Sequence, residues 1–192
     1  MDGNIGRPRR HFRFTTSATG QLMTRRRILA AMLGLFTTVI VWAGAPSIPL
    51  HDLDGRERNV NEFIGHAKWT IVVAWSHDCR LCDQEIGEMA ALHAARKDKD
   101  AMVLGITLDG AEHLKEARAF VKRHQLPFMN LITEPSQEVM VKFGAGQFVG
   151  TPTYYIYNPK GDIVGQNIGP LTRAEVEEFI ASFDKAAQNG RQ

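Results

Sequence analysis

Past Pro46 the chain alternates short apolar runs with stretches in which apolar residues recur at helical spacing, the pattern of an α/β layered domain. Asp54-Gly55 is a turn signal between segments at 48–53 and 57–60, which predicts a small β-hairpin at the start of the domain. The run Thr70-Ile71-Val72-Val73-Ala74-Trp75 is almost continuously apolar, as a central strand covered on both faces requires. It leads directly into Ser76-His77-Asp78-Cys79. Ile86, Met89, Ala90 and Ala94 then predict a helix over about 80–96, with Cys79 at its N-terminal end. A strand at 102–106 follows, and Leu114, Ala117, Phe120 and Val121 stripe a second helix that Pro127 stops. This βαβα order calls for helices on both faces of a sheet.

The second half of the domain reads in shorter pieces. A strand is predicted at 130–133, a short helix at 136–143 and a glycine-rich stretch at Gly144-Ala145-Gly146. The strand at 153–157, the turn Asn158-Pro159-Lys160-Gly161 and Ile163-Val164 form a second hairpin. Val176, Phe179, Ile180 and Phe183 give a last helix one apolar face, suited to packing.

Ahead of Pro46 the pattern changes. Residues 28–45 carry no formal charge and follow Arg25-Arg26-Arg27 directly, a charged region and an apolar region in the order of an export signal. Thr24-Arg25-Arg26-Arg27-Ile28-Leu29 also resembles a twin-arginine signal. Cleavage after Ala43 would free a soluble domain, whereas an uncleaved 28–45 is just long enough to tether it to a bilayer. In either case the arginines stay inside and the remainder lies in the periplasm or an equivalent extracytoplasmic space. Met23 precedes this block, so 1–22 reads as a disordered lead or a start assigned too early, 23–45 as signal sequence or membrane anchor, and 46–188 as the folded domain.

The formal charge of +2 conceals a division within the chain. The first 45 residues hold seven Arg and one Asp, which leaves 16 basic against 20 acidic residues in the rest. The folded part therefore offers no electrostatic case for binding nucleic acid.

Only two cysteines occur, Cys79 and Cys82. They are too close in sequence for their bridge to close a large loop and stabilise the fold much through the unfolded chain, so they read as chemistry rather than as a staple. At a helix N-terminus, unsatisfied backbone N–H groups and the helix dipole favour a thiolate at Cys79. Cys82, one turn in, would resolve the mixed disulfide that Cys79 forms with a partner. No organic cofactor is implied, because the two sulfurs carry the reaction.

The stretch from Trp75 through Cys79-Arg80-Leu81-Cys82 to Glu85, followed later by Gly150-Thr151-Pro152-Thr153, resembles the TlpA/ResA-like thiol-disulfide oxidoreductases of the thioredoxin superfamily. Asp52-Leu53-Asp54-Gly55, Gly65, Leu126-Pro127-Phe128 and Pro159-Lys160-Gly161 extend the resemblance over most of 45–183. It implies a thioredoxin-like fold, a central mixed sheet flanked by helices with an N-terminal β-hairpin extension. It implies a cis Pro152 whose loop faces the dithiol, with Thr151 pairing with an extended client segment and Trp75 contributing to the same surface. Glu85 matches an acidic residue that influences proton movement. A membrane-side thiol electron donor and a disulfide-bearing client, such as an apocytochrome in cytochrome c maturation or a copper-site protein, are the implied partners.

Some positions depart from that branch. Asp78 stands where Trp is frequent and opposes thiolate formation, while Arg80 and a protonated His77 favour it. The buried acid that thioredoxin carries on the strand before its dithiol is absent, since that strand has Val72, Val73 and Ala74. The alternative from another class is a copper-binding or copper-delivery protein with Cys79, Cys82 and His77 as ligands. A peroxidase of this fold would carry Pro and Thr ahead of its cysteine, and 72–78 contains neither. His93 and His124 beside apolar helix faces read as surface or boundary residues.

Overall fold

The computed structural model describes residues 44–189. The predicted lead at 1–22 and all of the predicted export segment except Gly44 and Ala45 lie outside the described residues. Among the described residues no helix is long and apolar enough to cross a membrane.

Among the described residues seven strands form one mixed sheet. They are β1 (Pro49–Asp52), β2 (Glu57–Asn59), β3 (Trp69–Trp75), β4 (Ala101–Thr107), β5 (Asn130–Ile132), β6 (Thr153–Tyr157) and β7 (Ile163–Ile168), in the spatial order β2-β1-β5-β4-β3-β6-β7. β3, β4 and β5 run parallel, and the other neighbours are antiparallel. The helices are α1 (Arg80–Arg96), α2 (Leu114–Arg123), α3 (Gln137–Val141) and α4 (Arg173–Asn189), with a single 3-10 turn at Val60–Glu62.

The chain steps from β3 through α1 to β4, and through α2 to β5, in the same direction across the sheet. Crossovers of one hand then belong on one face. Accordingly, α1, α2 and α4 share a core with Ile71, Val73 and Trp75, whereas α3 and the 3-10 turn cover Val72 and Ala74 from the other side. β3 is thus buried along its whole length, as its unbroken apolar sequence requires.

The N-terminal hairpin pairs Pro49 with Asn59 and His51 with Glu57, and β1 also pairs with β5, so the hairpin widens the main sheet. Its turn is held by the Asp52 carboxylate, which accepts the Asp54 and Arg56 backbone N–H groups at 2.9 Å each. Those N–H donors, Arg56 foremost, hold the carboxyl of Asp52 below the usual range although burial opposes them. At the other hairpin β7 continues to Ile168, beyond the Ile163-Val164 that its composition suggests. Gly165 and two polar residues interrupt the apolar signal there, and pairing to β6 extends the strand regardless.

On α1 the buried side is Cys82, Ile86, Met89, Leu92 and His93, and Ala94 is exposed. His93 is therefore a core residue, against the surface or boundary position read from its sequence. Its Nδ1 accepts the Val103 N–H of β4 at 3.1 Å, and its ring leans on Phe128 at 5.8 Å. Burial holds its pKa below the ordinary 6.5, so the fold binds the neutral ring while the unfolded chain does not discriminate. Its contribution to stability is then present above 6.5 and lost as pH falls below that value. Thermal midpoints measured against pH should fall on the acid side of 6.5 in the native chain, and this part of the slope should vanish in His93→Gln. Equal slopes in the two proteins would refute the assignment.

Candidate active site

Cys79 caps α1 from an extended backbone conformation, with φ −74° and ψ 103°. Its sulfur accepts the backbone N–H of Cys82 at 3.1 Å, and the two cysteines form a disulfide with Cα atoms 5.2 Å apart. The helix therefore presents one of its free N–H groups to the sulfur that would carry the charge after reduction. Cys79 is partly exposed, whereas Cys82 is 1% exposed and belongs to the core beneath the sheet's helical face. This difference in access assigns attack to Cys79 and resolution to Cys82.

The loop from β3 to α1 is tightly closed. The Cys79 N–H donates to the Ser76 carbonyl at 3.2 Å, and the Ser76 hydroxyl donates to Asp78 at 2.8 Å. That hydroxyl is the main reason the Asp78 carboxyl lies below its ordinary range, so an ionised acid directly precedes the outer cysteine.

Asp109 is the functional candidate that sequence reading missed. It follows β4, is 6% exposed, and accepts the His77 backbone N–H at 3.0 and 3.1 Å on its two oxygens. It also meets His77 Nδ1 at 2.6 Å and accepts the Thr107 hydroxyl. β3 itself carries no acid, and Asp109 is a buried acid just past the end of the neighbouring strand. The parallel register of β3 and β4, which sets Trp75 beside Thr107, is the signal that would have located it.

The hydrogen bond to Asp109 raises the His77 pKa above 6.5 despite partial burial, with further help from the charges of Asp109, Asp78 and Glu116. The His113 ring lies 5.0 Å from that of His77. Side-chain N and O atoms of His77, Asp78 and Asp109 fall within 4.8 Å of one another; Asp109 is hydrogen-bonded to His77 and Thr107, and Asp78 to Ser76. In the disulfide form the two sulfurs are bonded to each other and His77 Nδ1 is taken by Asp109.

Opposite this loop the Thr151–Pro152 peptide is cis, and Thr151 is partly exposed while Pro152 is buried. A cleft of about 370 Å³ runs between Gly150-Thr151 on one wall and Ser76, His77, Asp78 and His113 on the other. The loop that precedes Cys79 and the Thr151 loop are thereby brought together. Trp75 is placed differently. Its side chain is fully buried, stacked on Phe120 at 4.4 Å, with its indole N–H donating to Asn130 at 3.1 Å. It supports the loop from below and has no surface to offer a client. Glu85 is partly buried on α1 and makes no hydrogen bond or ion pair among the described residues. Its charge, with that of Glu88, adds to the burial that pushes up the phenol of Tyr154, a core neighbour of Cys82.

The sequence profile of the AhpC/TSA family matches residues 41–166, more than half of the chain. The chain belongs to the AhpC/TSA family. Within that family it is ResA-like and carries the thioredoxin fold. The thiol-disulfide oxidoreductase ResA of Bacillus thuringiensis subsp. konkukian is 26% identical over 136 residues, covering 71% of this chain and 74% of ResA. The thioredoxin-like protein YneN of Bacillus subtilis is 28% identical over 136 residues, covering 71% of this chain and 76% of YneN. A thiol:disulfide interchange protein of Chlorobium tepidum superposes with a TM-score of 0.61 at 21% identity, over 72% of this chain and 94% of that one.

Proposed function

We propose that this AhpC/TSA family member is an extracytoplasmic thiol-disulfide oxidoreductase that reduces client disulfides through Cys79 and a mixed-disulfide intermediate. The observation that carries the reading is the Cys79–Cys82 bridge at the N-terminus of α1, with one sulfur accessible and the other in the core. Family membership and the ResA relatives support it. Cys79 thiolate attacks a client disulfide, one client sulfur leaves, and Cys82 then displaces the other by closing the internal bridge. Two electrons pass to the client. In an oxidising compartment a membrane-side thiol donor has to reduce the bridge again. Thr151 would pair with the client's extended segment, and the arginine block with the uncharged 28–45 supports export.

Asp78 biases the pair toward the reducing direction, against the opposite pull of Arg80 and a protonated His77. An ionised carboxylate beside Cys79 disfavours its thiolate, which favours the disulfide over the dithiol and lowers the reduction potential. The test is the potential of the full chain in glutathione and dithiothreitol buffers, with and without chelator. A value more negative than about −200 mV supports a reductase, and one nearer the roughly −120 mV of strong oxidants overturns the direction. Failure to cycle until chelator is added would favour copper binding instead. Asp78→Asn should raise the potential by about 10–30 mV, the equivalent of roughly 0.5–1.4 kcal/mol, and lower the pH at which Cys79 is alkylated. A potential that stays put or falls removes Asp78 from the argument.

A further inference from the structure

Three observations converge on His77. The Ser76–Cys79 hydrogen bond closes a four-residue turn in which His77 is the second residue. Asp109, anchored by Thr107 and by the His77 backbone, takes Nδ1 and so leaves Nε2 as the ring atom without a partner. The ring lines the cleft whose opposite wall is Gly150-Thr151, where a client joined to Cys79 would lie. A carboxylate that fixes one ring nitrogen orients the other for proton transfer or hydrogen bonding.

The geometry points to a second role in the exchange reaction: His77, held by Asp109, stabilises the Cys79 thiolate and gives its Nε2 proton to the thiolate that leaves the client. The inference deepens the thiol-exchange reading and rests on it. In the step, Cys79 S⁻ forms a bond to one client sulfur, the client S–S bond breaks, and its electron pair goes to the departing sulfur. That sulfur takes the proton from the imidazolium, and the neutral ring is reprotonated from water. The imidazolium side of this balance is favoured by Asp109, Asp78 and Glu116, while His113, 5.0 Å away between ring centres, is the facing group that would oppose it when protonated. Where β3 has no acid, the device sets a buried acid past the end of β4 and an imidazole in the turn that leads to Cys79.

Coupling between two titrating groups is reciprocal, and this gives the test. In the full chain with 15N-labelled histidine, His77 should titrate at higher pH in the reduced protein than in the disulfide form, because only the reduced form offers a thiolate. Cys79 in His77→Gln should be alkylated at higher pH than in the native chain, by the same shift. Asp109→Asn should bring the His77 titration down toward 6.5. If Asp109→Asn does not fold, the native-chain titration alone still decides. Superimposable His77 titrations in the two redox states, or an unchanged alkylation profile in His77→Gln, would overturn the proposal. Both readouts need no client, so failure of the chain to reduce clients is a separate result.

Discussion

Cys82→Ser should convert the protein from a catalyst into a trap, with client turnover falling to background and a client-linked adduct accumulating on Cys79. The two sulfurs are chemically alike, and their positions make them unequal. Cys79 is partly exposed and already accepts a backbone N–H, whereas Cys82 is 1% exposed. Without the inner thiol nothing displaces the client sulfur from the mixed disulfide except added reductant. Cys79→Ser should lose turnover equally and form no adduct, because the core thiol cannot meet a client. Non-reducing electrophoresis and intact mass of the full chain with a disulfide-bearing substrate separate these outcomes. Adducts on Cys79→Ser, or turnover retained by Cys82→Ser, would reverse or abolish the assigned roles. The core hydroxyl in Cys82→Ser costs about 1–3 kcal/mol if it finds no partner, so Cys82→Ala serves as the second variant.

What could be read from the sequence follows from how local each signal is. The apolar run of β3, the helix at 80–96 and Cys79 at its start are set within one stretch of chain, and the structure has them at the same places. The Thr151–Pro152 cis peptide came into view only through resemblance, because local sequence favours the trans form. Asp109 lies 32 residues from His77 in sequence, and only the pairing of β3 with β4 makes them neighbours. Trp75 shows the converse. Its place beside the dithiol motif suggests a client contact, but alternation along β3 sends it to the helical face, where Phe120 of α2 lies. His93 was obscured for a similar reason, since a polar side chain on an apolar stripe has no sequence mark for the β4 N–H that it satisfies.

The same pairing that hides Trp75 makes it the residue whose loss should damage the fold most. Its indole stacks on Phe120 with planes 21° apart and donates to Asn130 Oδ1, while Asn130 Nδ2 donates to the Phe128 carbonyl at 2.9 Å. Space for that amide exists because residue 105 on β4 is glycine. A Cβ at Gly105 would stand 2.0 Å from Asn130 Oδ1 and 3.0 Å from Trp75 Nε1. Trp75→Ala should therefore cost about 3–5 kcal/mol through the cavity and the orphaned amide. For a chain of this size that lowers the thermal midpoint by roughly 6–20 °C. Trp75→Phe keeps an aromatic ring against Phe120 and should lose less. Gly105→Ala should destabilise by pushing Asn130 off the indole, and once Trp75 is Ala much of that penalty has already been incurred. Thermal unfolding of the two single variants and the double variant measures the coupling, and a double-variant loss well short of the sum is expected. Strict additivity would mean that Gly105 and Trp75 act separately, and that the loop carrying Cys79 is not braced by this group.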